Sequence, residues 1–385
     1  SNKIVLAPAL LLVLAAGLAA AGPVEDEVAG VIDLFHDLRF EEALGAARTL
    51  EDRHPGHPAG PFFTGVVHFQ RYLVEDPRRP ETLAEFERQT ARSLAAAEAW
   101  RSSSPASAEY YLGAAHGFRA RVLSMEKRRG EAISEARKAL GHVRKAVALD
   151  PADDDVYLGM GMYNYFMSRI PAGIKPLAYL MMGTWGDKEE GLGQLKRAAQ
   201  KGKIARWEAR SVLANIFGSE RERRWEEAEA LLQELMERYP RNPGYRMRRA
   251  YVFERMGRWD RALALVEPKG AWVEKVEPSV RALALAAARY RSAEIMILSG
   301  RPSEAQAHLH ALVQADLPSN LKDWVALRRA NLLDLAGERK MALAIYGRIT
   351  DRWAKPAAEG FMKEAFPGGP NAVQPFRWPM SEVVK

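Results

Sequence analysis

His54 and His57 come nearest to a metal pair, because two imidazoles one helical turn apart can share a zinc ion. Here they flank Pro55 in a turn, with no neighbouring carboxylate or thiol to complete a ligand set, and they read as a solvent-exposed turn. His308 and His310 stand two apart on a predicted helix, so they point to different faces. Glu189-Glu190 and Asp153 to Asp155 could supply a paired acid and base. They open helices, however, where acidic side chains offset the positive end of the helix dipole. Cysteine is absent from the 385 residues, which removes disulfides, thiolate nucleophiles and cysteine metal sites together. No phosphate-binding Gly-x-x-x-x-Gly-Lys loop, nucleophile elbow, His-Glu-x-x-His helix or dinucleotide fingerprint occurs. The chain is expected not to be an enzyme, and neither a cofactor nor a metal is expected.

The surplus of 56 basic over 49 acidic residues gives a net charge of +7, modest for this length. Arg221, Arg223 and Arg224, and again Arg246, Arg248 and Arg249, could attract nucleic acid, anionic lipid or acidic proteins. Acidic residues are interleaved throughout and no aromatic-plus-basic signature accompanies the clusters. They therefore read as solvated helix faces, and nucleic acid is not expected as a partner. At the start, Lys3 precedes an apolar run from Ile4 to Ala21 that ends in the small residues Ala19 and Ala21. That is the form of a secretory signal peptide cleaved before Gly22. A run of about 18 apolar residues also approaches the length of a membrane anchor. The expected location is the periplasm or the exterior after cleavage, with an anchor at residues 4–21 as the alternative.

Any chemistry in this chain has to be positioned by helices. Alanine and leucine dominate the composition, and alternating runs of Val, Ile and Thr are missing. A phrase recurs as Arg224-Trp225-Glu226-Glu227-Ala228, Arg258-Trp259-Asp260-Arg261-Ala262, Arg301-Pro302-Ser303-Glu304-Ala305 and Arg339-Lys340-Met341-Ala342. Its alanines are 34, 43 and 37 residues apart, the length of two short helices and their turns. Such a unit cannot bury its apolar face alone and must stack on its neighbours, so the fold expected is an all-α solenoid. Gly257, Gly300 and Gly337 each stand five residues before one of these alanines, where a left-handed helix cap is needed. The expected divisions are a leader at 1–21, helix pairs at 22–105, longer divergent units at 106–205, further pairs at 206–355, and a helix end with a Pro/Gly-rich tail at 356–385. The array is expected to end near Arg352.

Ala43, Ala47, Leu50 and Pro55, and again Ala228, Leu232, Leu235 and Pro240, match the core positions and closing proline of a second helix in the tetratricopeptide family, which the chain after Val28 resembles. The segment Gly161-Met162-Tyr163-Asn164-Tyr165-Phe166-Met167-Ser168-Arg169-Ile170-Pro171, with Leu177 to Met182 and Gly186-Asp187-Lys188-Glu189-Glu190-Gly191-Leu192, is similar to eukaryotic inclusion-body-clearance proteins. It also looks like bacterial envelope repeat proteins of unassigned function. The resemblance implies a scaffold associated with membranes or protein handling, and no known reaction. It also implies that the residue after each small contact position faces a concave groove, which gives Ala114, Met160, Asn215, Tyr251 and Asn331. Asparagines there could hold a peptide backbone, while Tyr and Met supply apolar contact. One turn earlier stand Tyr110, Val156, Met247 and Leu327 in place of basic residues, which argues against a carboxylate clamp of the kind some relatives carry. Pro171 and Pro176 stop a continuous helix, so 170–186 is an apolar insertion. It carries Ile174, Leu177, Tyr179, Leu180, Met181, Met182 and Trp185. These residues either pack over the solenoid or meet a lipid or protein partner.

Overall fold

The computed structural model describes residues 24–74, 79–170, 173, 176, 179, 185–317, 319–351 and 354–369. Its first seven helices are α1 (Val24–His36), α2 (Phe40–Arg53), α3 (Ala59–Val74), α4 (Pro80–Trp100), α5 (Pro105–Met125), α6 (Arg129–Leu149) and α7 (Val156–Ser168). There follow α8 (Lys188–Lys201), α9 (Arg206–Phe217), α10 (Trp225–Arg238), α11 (Pro243–Arg255), α12 (Trp259–Val266) and the single turn α13 (Trp272–Lys275). The last five are α14 (Pro278–Leu298), α15 (Pro302–Val313), α16 (Ser319–Leu335), α17 (Arg339–Tyr346) and α18 (Lys355–Lys363). Helices pack chiefly on their sequence neighbours, and no strand occurs among the described residues. The fold is an all-α helical-repeat solenoid.

The repeat phrase lies where it should. Ala228, Ala262, Ala305 and Ala342 are all fully buried at helix crossings, as are Ala43 and Ala47 in the first pair. Gly257, Gly300 and Gly337 have φ of +69°, +80° and +80°, the left-handed region that lets each first helix stop and turn. A leucine at Ala262 would force extra methylenes into a filled crossing. Ala262→Leu is expected to cost about 1–3 kcal/mol, read as a lowered urea midpoint.

The divergent middle is held by closer contacts. A Cβ on Gly191 of α8 would stand 2.5 Å from the backbone N of Tyr165, and one on Gly161 of α7 2.8 Å from the Gly191 carbonyl oxygen. These two glycines let the backbones of α7 and α8 touch. Asp187 caps α8, its Oδ1 accepting the Glu190 N–H at 2.7 Å. At the other end, packing continues past Arg352. Ala354, Ala358 and Phe366 are buried against the last pair, so α18 caps the array beyond the expected end.

The coil also closes on itself. Asp33, on α1, accepts hydrogen bonds from Arg238 Nε at 3.1 Å and the Tyr239 hydroxyl at 2.7 Å. Asp37 accepts the Arg241 N–H at 2.9 Å, and Asn242 Nδ2 donates to the His36 carbonyl at 2.8 Å. The α1–α2 turn therefore sits on the α10–α11 turn, some two hundred residues further along the chain. One hydrophobic core joins Val28 to Val67 with Met247 to Ile295 across this seam.

No helix among the described residues is long and apolar enough to cross a membrane. The leader assigned to residues 1–21 lies outside the described residues.

Candidate binding site on the inner face

The seam brings α1, α5, α9 and α11 around one carboxylate, that of Glu208. Helical spacing puts Glu208, Ser211 and Asn215 on one face of α9, Tyr245 and Arg248 on one face of α11, and Tyr110, Ala114, Phe118 and Arg121 on one stripe of α5. His36 Nε2 is 3.4 Å from Glu208 Oε2, and its Nδ1 shares a 2.8 Å hydrogen bond with the Tyr245 hydroxyl. The His36 ring stacks on Phe35, Tyr239 and Tyr245. Burial holds its pKa below the usual histidine value, against the opposing pull of Glu208. It is therefore a neutral ring at pH 7.

Arg121 and Arg248 are half-buried and enclosed by these helices. Arg121 lies over the Phe69 ring at 4.9 Å. Burial lowers the pKa of both guanidiniums, that of Arg248 to about 10, with Glu208 pulling each the other way. The Arg248 Nη2 is buried and has no hydrogen-bond partner. Polar groups this deep are normally paired. The inner face thus presents two cations, one half-exposed carboxylate and the free amide of Asn215.

The other expected groove residues are scattered. Met160 is half-buried on α7 in the neighbouring unit. Tyr251 leaves the groove: its hydroxyl donates to Glu220 at 2.7 Å, and its ring packs edge-on against Trp225. Asn331 is wholly buried, accepting from Arg328 at 3.1 Å and donating to the Tyr346 hydroxyl at 2.8 Å, so no backbone of a ligand can reach it. Its neighbours form an ionic core in which Glu294 binds both Arg291 and Arg328, and Arg291 is 3.4 Å from Glu254.

Of the insertion, Ile174, Leu177, Leu180, Met181 and Met182 lie outside the described residues. Tyr179 and Trp185 stack at 4.5 Å and are exposed by 43% and 49%.

Two further expectations are corrected. The turn of His54 and His57 is open to solvent at Pro55 and Gly56, but its histidines are half-buried: His57 fits edge-on between Trp100 and Tyr111 and accepts the Ala59 N–H at 3.1 Å, while His54 meets Glu27 at 3.3 Å. The arginines at 246–249 do not form one solvated face. Arg249 pairs with Glu229, and Arg246 donates to the Leu265 carbonyl at 3.2 Å and covers Trp272, whereas Arg248 points inward.

Sequence reasoning missed a third pairing. His116 and His142 stack at 5.5 Å, and their Nδ1 atoms are each 2.6 Å from Glu135 and Glu109 on the opposite helix, which bolts α5 to α6.

No family model matches the chain, and no curated protein does. Among solved structures, the human IFIT1 dimer with m7Gppp-AAAA is 14% identical, covering 89% of this chain and 87% of that one, at a TM-score of 0.40. A monomeric IFIT1 mutant with Gppp-AAAA is 13% identical over 89% and 88%, at 0.38. Naa15/Naa10 bound to HypK-THB is 11% identical over 88% and 72%, at 0.31. Two of these similar chains are solved with capped oligonucleotides, and the expectation that excluded nucleic acid does not stand. Its physical ground, a wholly solvated arginine face, fails at Arg248, whose Nη2 is buried.

Proposed function

We propose that this protein is a non-catalytic helical-repeat scaffold that holds a protein or peptide segment against its inner face. The observation that carries the reading is Arg248, whose buried Nη2 has no hydrogen-bond partner, beside the half-buried Arg121, Glu208 and Asn215. A mixed lining of guanidinium, carboxylate and amide offers donors and acceptors to a polypeptide backbone and its side chains. The resemblance of residues 161–192 to protein-handling repeat proteins supports the same reading. The test is site-specific photo-crosslinking in the cell of origin. A photoreactive amino acid in place of Asn215 is expected to capture polypeptide, whereas one in place of exposed Glu226 on α10 is not. Equal capture at both positions, or none at Asn215, sinks the reading.

A second reading, membrane or lipid contact through the insertion, rests on the exposed Tyr179–Trp185 stack. It requires the Trp185 emission to shift to the blue on mixing with liposomes. An unchanged spectrum removes it.

For the leader, the proposal is cleavage before Gly22 and release into the periplasm or exterior. N-terminal mass analysis of native protein is expected to begin near Gly22. An intact segment at 4–21 recovered with membranes would establish the anchor instead.

A further inference from the structure

Apart from the inner face, we propose that a groove between the first helices and the C-terminal units binds a long-chain fatty acid, its chain along α14 and its carboxylate at Arg289. The groove has a volume of about 860 Å³, within the range of small-molecule sites, roughly 300–1,000 Å³. None of Glu208, Arg121, Arg248 and Asn215 lines it. Closure of the coil creates it, since Leu38, Phe40 and Val74 from the first three helices and their turns face α14 and the end of α15. On one side Leu38, Phe40, Val74 and Val280 form the edge of the core that crosses the seam. On the other, Ala286, Leu312 and Leu317 belong to the separate core of the C-terminal units. The groove is the gap between these two cores, and an alkyl chain laid in it would extend apolar packing from one to the other.

Charge and register select the headgroup. Ala282, Leu285, Ala286 and Arg289 line the groove from one stripe of α14, at the i, i+3, i+4, i+7 spacing of a single helix face. The stripe is apolar until it ends in a guanidinium, which is the order of groups along a fatty acid. The four carboxylates of the rim already have cations: Glu42 has Arg39, Glu41 has Arg71 at 2.7 Å, Glu277 has Arg241 at 3.6 Å and Asp316 has Lys322 at 3.4 Å. Arg289 is half-buried and makes no ion pair or hydrogen bond among the described residues. A carboxylate cancels that single charge through the two parallel hydrogen bonds of a guanidinium fork. A phosphate monoester carries about −1.5 to −2 charges at pH 7 and would bring the excess to a rim of carboxylates. At the other end of the stripe, Glu277 stands at the N-terminus of α14 and repels an anion there, which fixes the direction in which the ligand lies.

The test is calorimetric titration of the full chain with sodium dodecanoate below its micelle concentration, and in parallel with dodecan-1-ol, dodecyltrimethylammonium, dodecyl phosphate and butanoate. Dodecanoate is expected to bind as one molecule per chain, the neutral and cationic chains about tenfold or more weakly, and butanoate not measurably. Arg289→Gln is expected to weaken dodecanoate by about tenfold or more, as loss of a charge-assisted hydrogen bond requires, and to leave dodecan-1-ol unchanged. Ala282 is exposed, so Ala282→Trp occupies the groove without entering either core and is expected to abolish binding of both. Arg258→Gln, at an exposed arginine that does not line the groove, is expected to change nothing. All three variants should keep the wild-type helical circular dichroism and melting temperature. No binding of dodecanoate, several molecules bound per chain, or equal affinity for the alcohol or the cationic chain would overturn the proposal. So would tighter binding of dodecyl phosphate, or undiminished dodecanoate binding in folded Arg289→Gln or Ala282→Trp protein.

Discussion

Replacing Glu294 by alanine is expected to destabilise the C-terminal half of the solenoid by about 3–5 kcal/mol, the usual cost of stranding a buried charge. Glu294 is wholly buried on α14 and is the carboxylate to which both Arg291 and Arg328 are bound. It also accepts from the Tyr290 hydroxyl at 3.1 Å. Without it, two guanidiniums would remain in the interior, one with Asn331 and one with Glu254 as the nearest relief. The ionic core ties α11, α14 and α16 together, so its loss should act on several units at once. Urea unfolding followed by circular dichroism measures the effect. Arg328→Met added to Glu294→Ala should recover part of it, since the second change removes a stranded charge and keeps most of the volume. A single variant within about 1 kcal/mol of wild type would mean that water already reaches this cluster.

The units of the solenoid were legible because their signal is local. Ala228, Ala262, Ala305 and Ala342 mark crossings by size alone, and Gly257, Gly300 and Gly337 mark turns by the φ only glycine takes without strain. Asp187 announced a helix start through its own hydrogen bond. The inner face was legible only in part. Asn215 lies on the same face of α9 as Glu208, but Asn331 occupies an equivalent repeat position and is buried, because in that unit the groove side is filled by Arg328 and Tyr346. Position in a repeat fixes direction, while neighbours decide whether that direction holds water or side chain.

The seam could not be read at all. Asp33 and Tyr239 meet across 206 residues, and the pitch that brings them together accumulates from small rotations at every pair, longer in the divergent units. Arg121 left one faint trace, an arginine closing the otherwise apolar and small stripe Tyr110-Ala114-Phe118. Arg248 was legible only as one member of the cluster Arg246, Arg248 and Arg249, whose other two have ordinary partners.

The ionic core also makes stability depend on pH. Glu254 is buried on α11; burial raises its pKa to about 7, with Arg291, Arg328 and Arg255 pulling it down and Glu294 pushing it further up. A carboxyl whose folded pKa lies above its unfolded value contributes stability that is complete below the unfolded value. That contribution is lost as the pH climbs through the folded one. The window therefore runs from about pH 4.5 to about pH 7, with a change on the order of 3 kcal/mol, since each pKa unit is worth about 1.4 kcal/mol. Glu254→Gln keeps the shape of the side chain and removes the proton. The stability of wild type relative to this variant is expected to fall across that window and to level off above it, measured as urea midpoints in matched buffers. Histidines and surface carboxylates titrate alike in both proteins and cancel in the difference. A flat difference would mean that Arg291, 3.4 Å from Glu254, keeps the carboxylate ionised, and that desolvation is the weaker of the two effects.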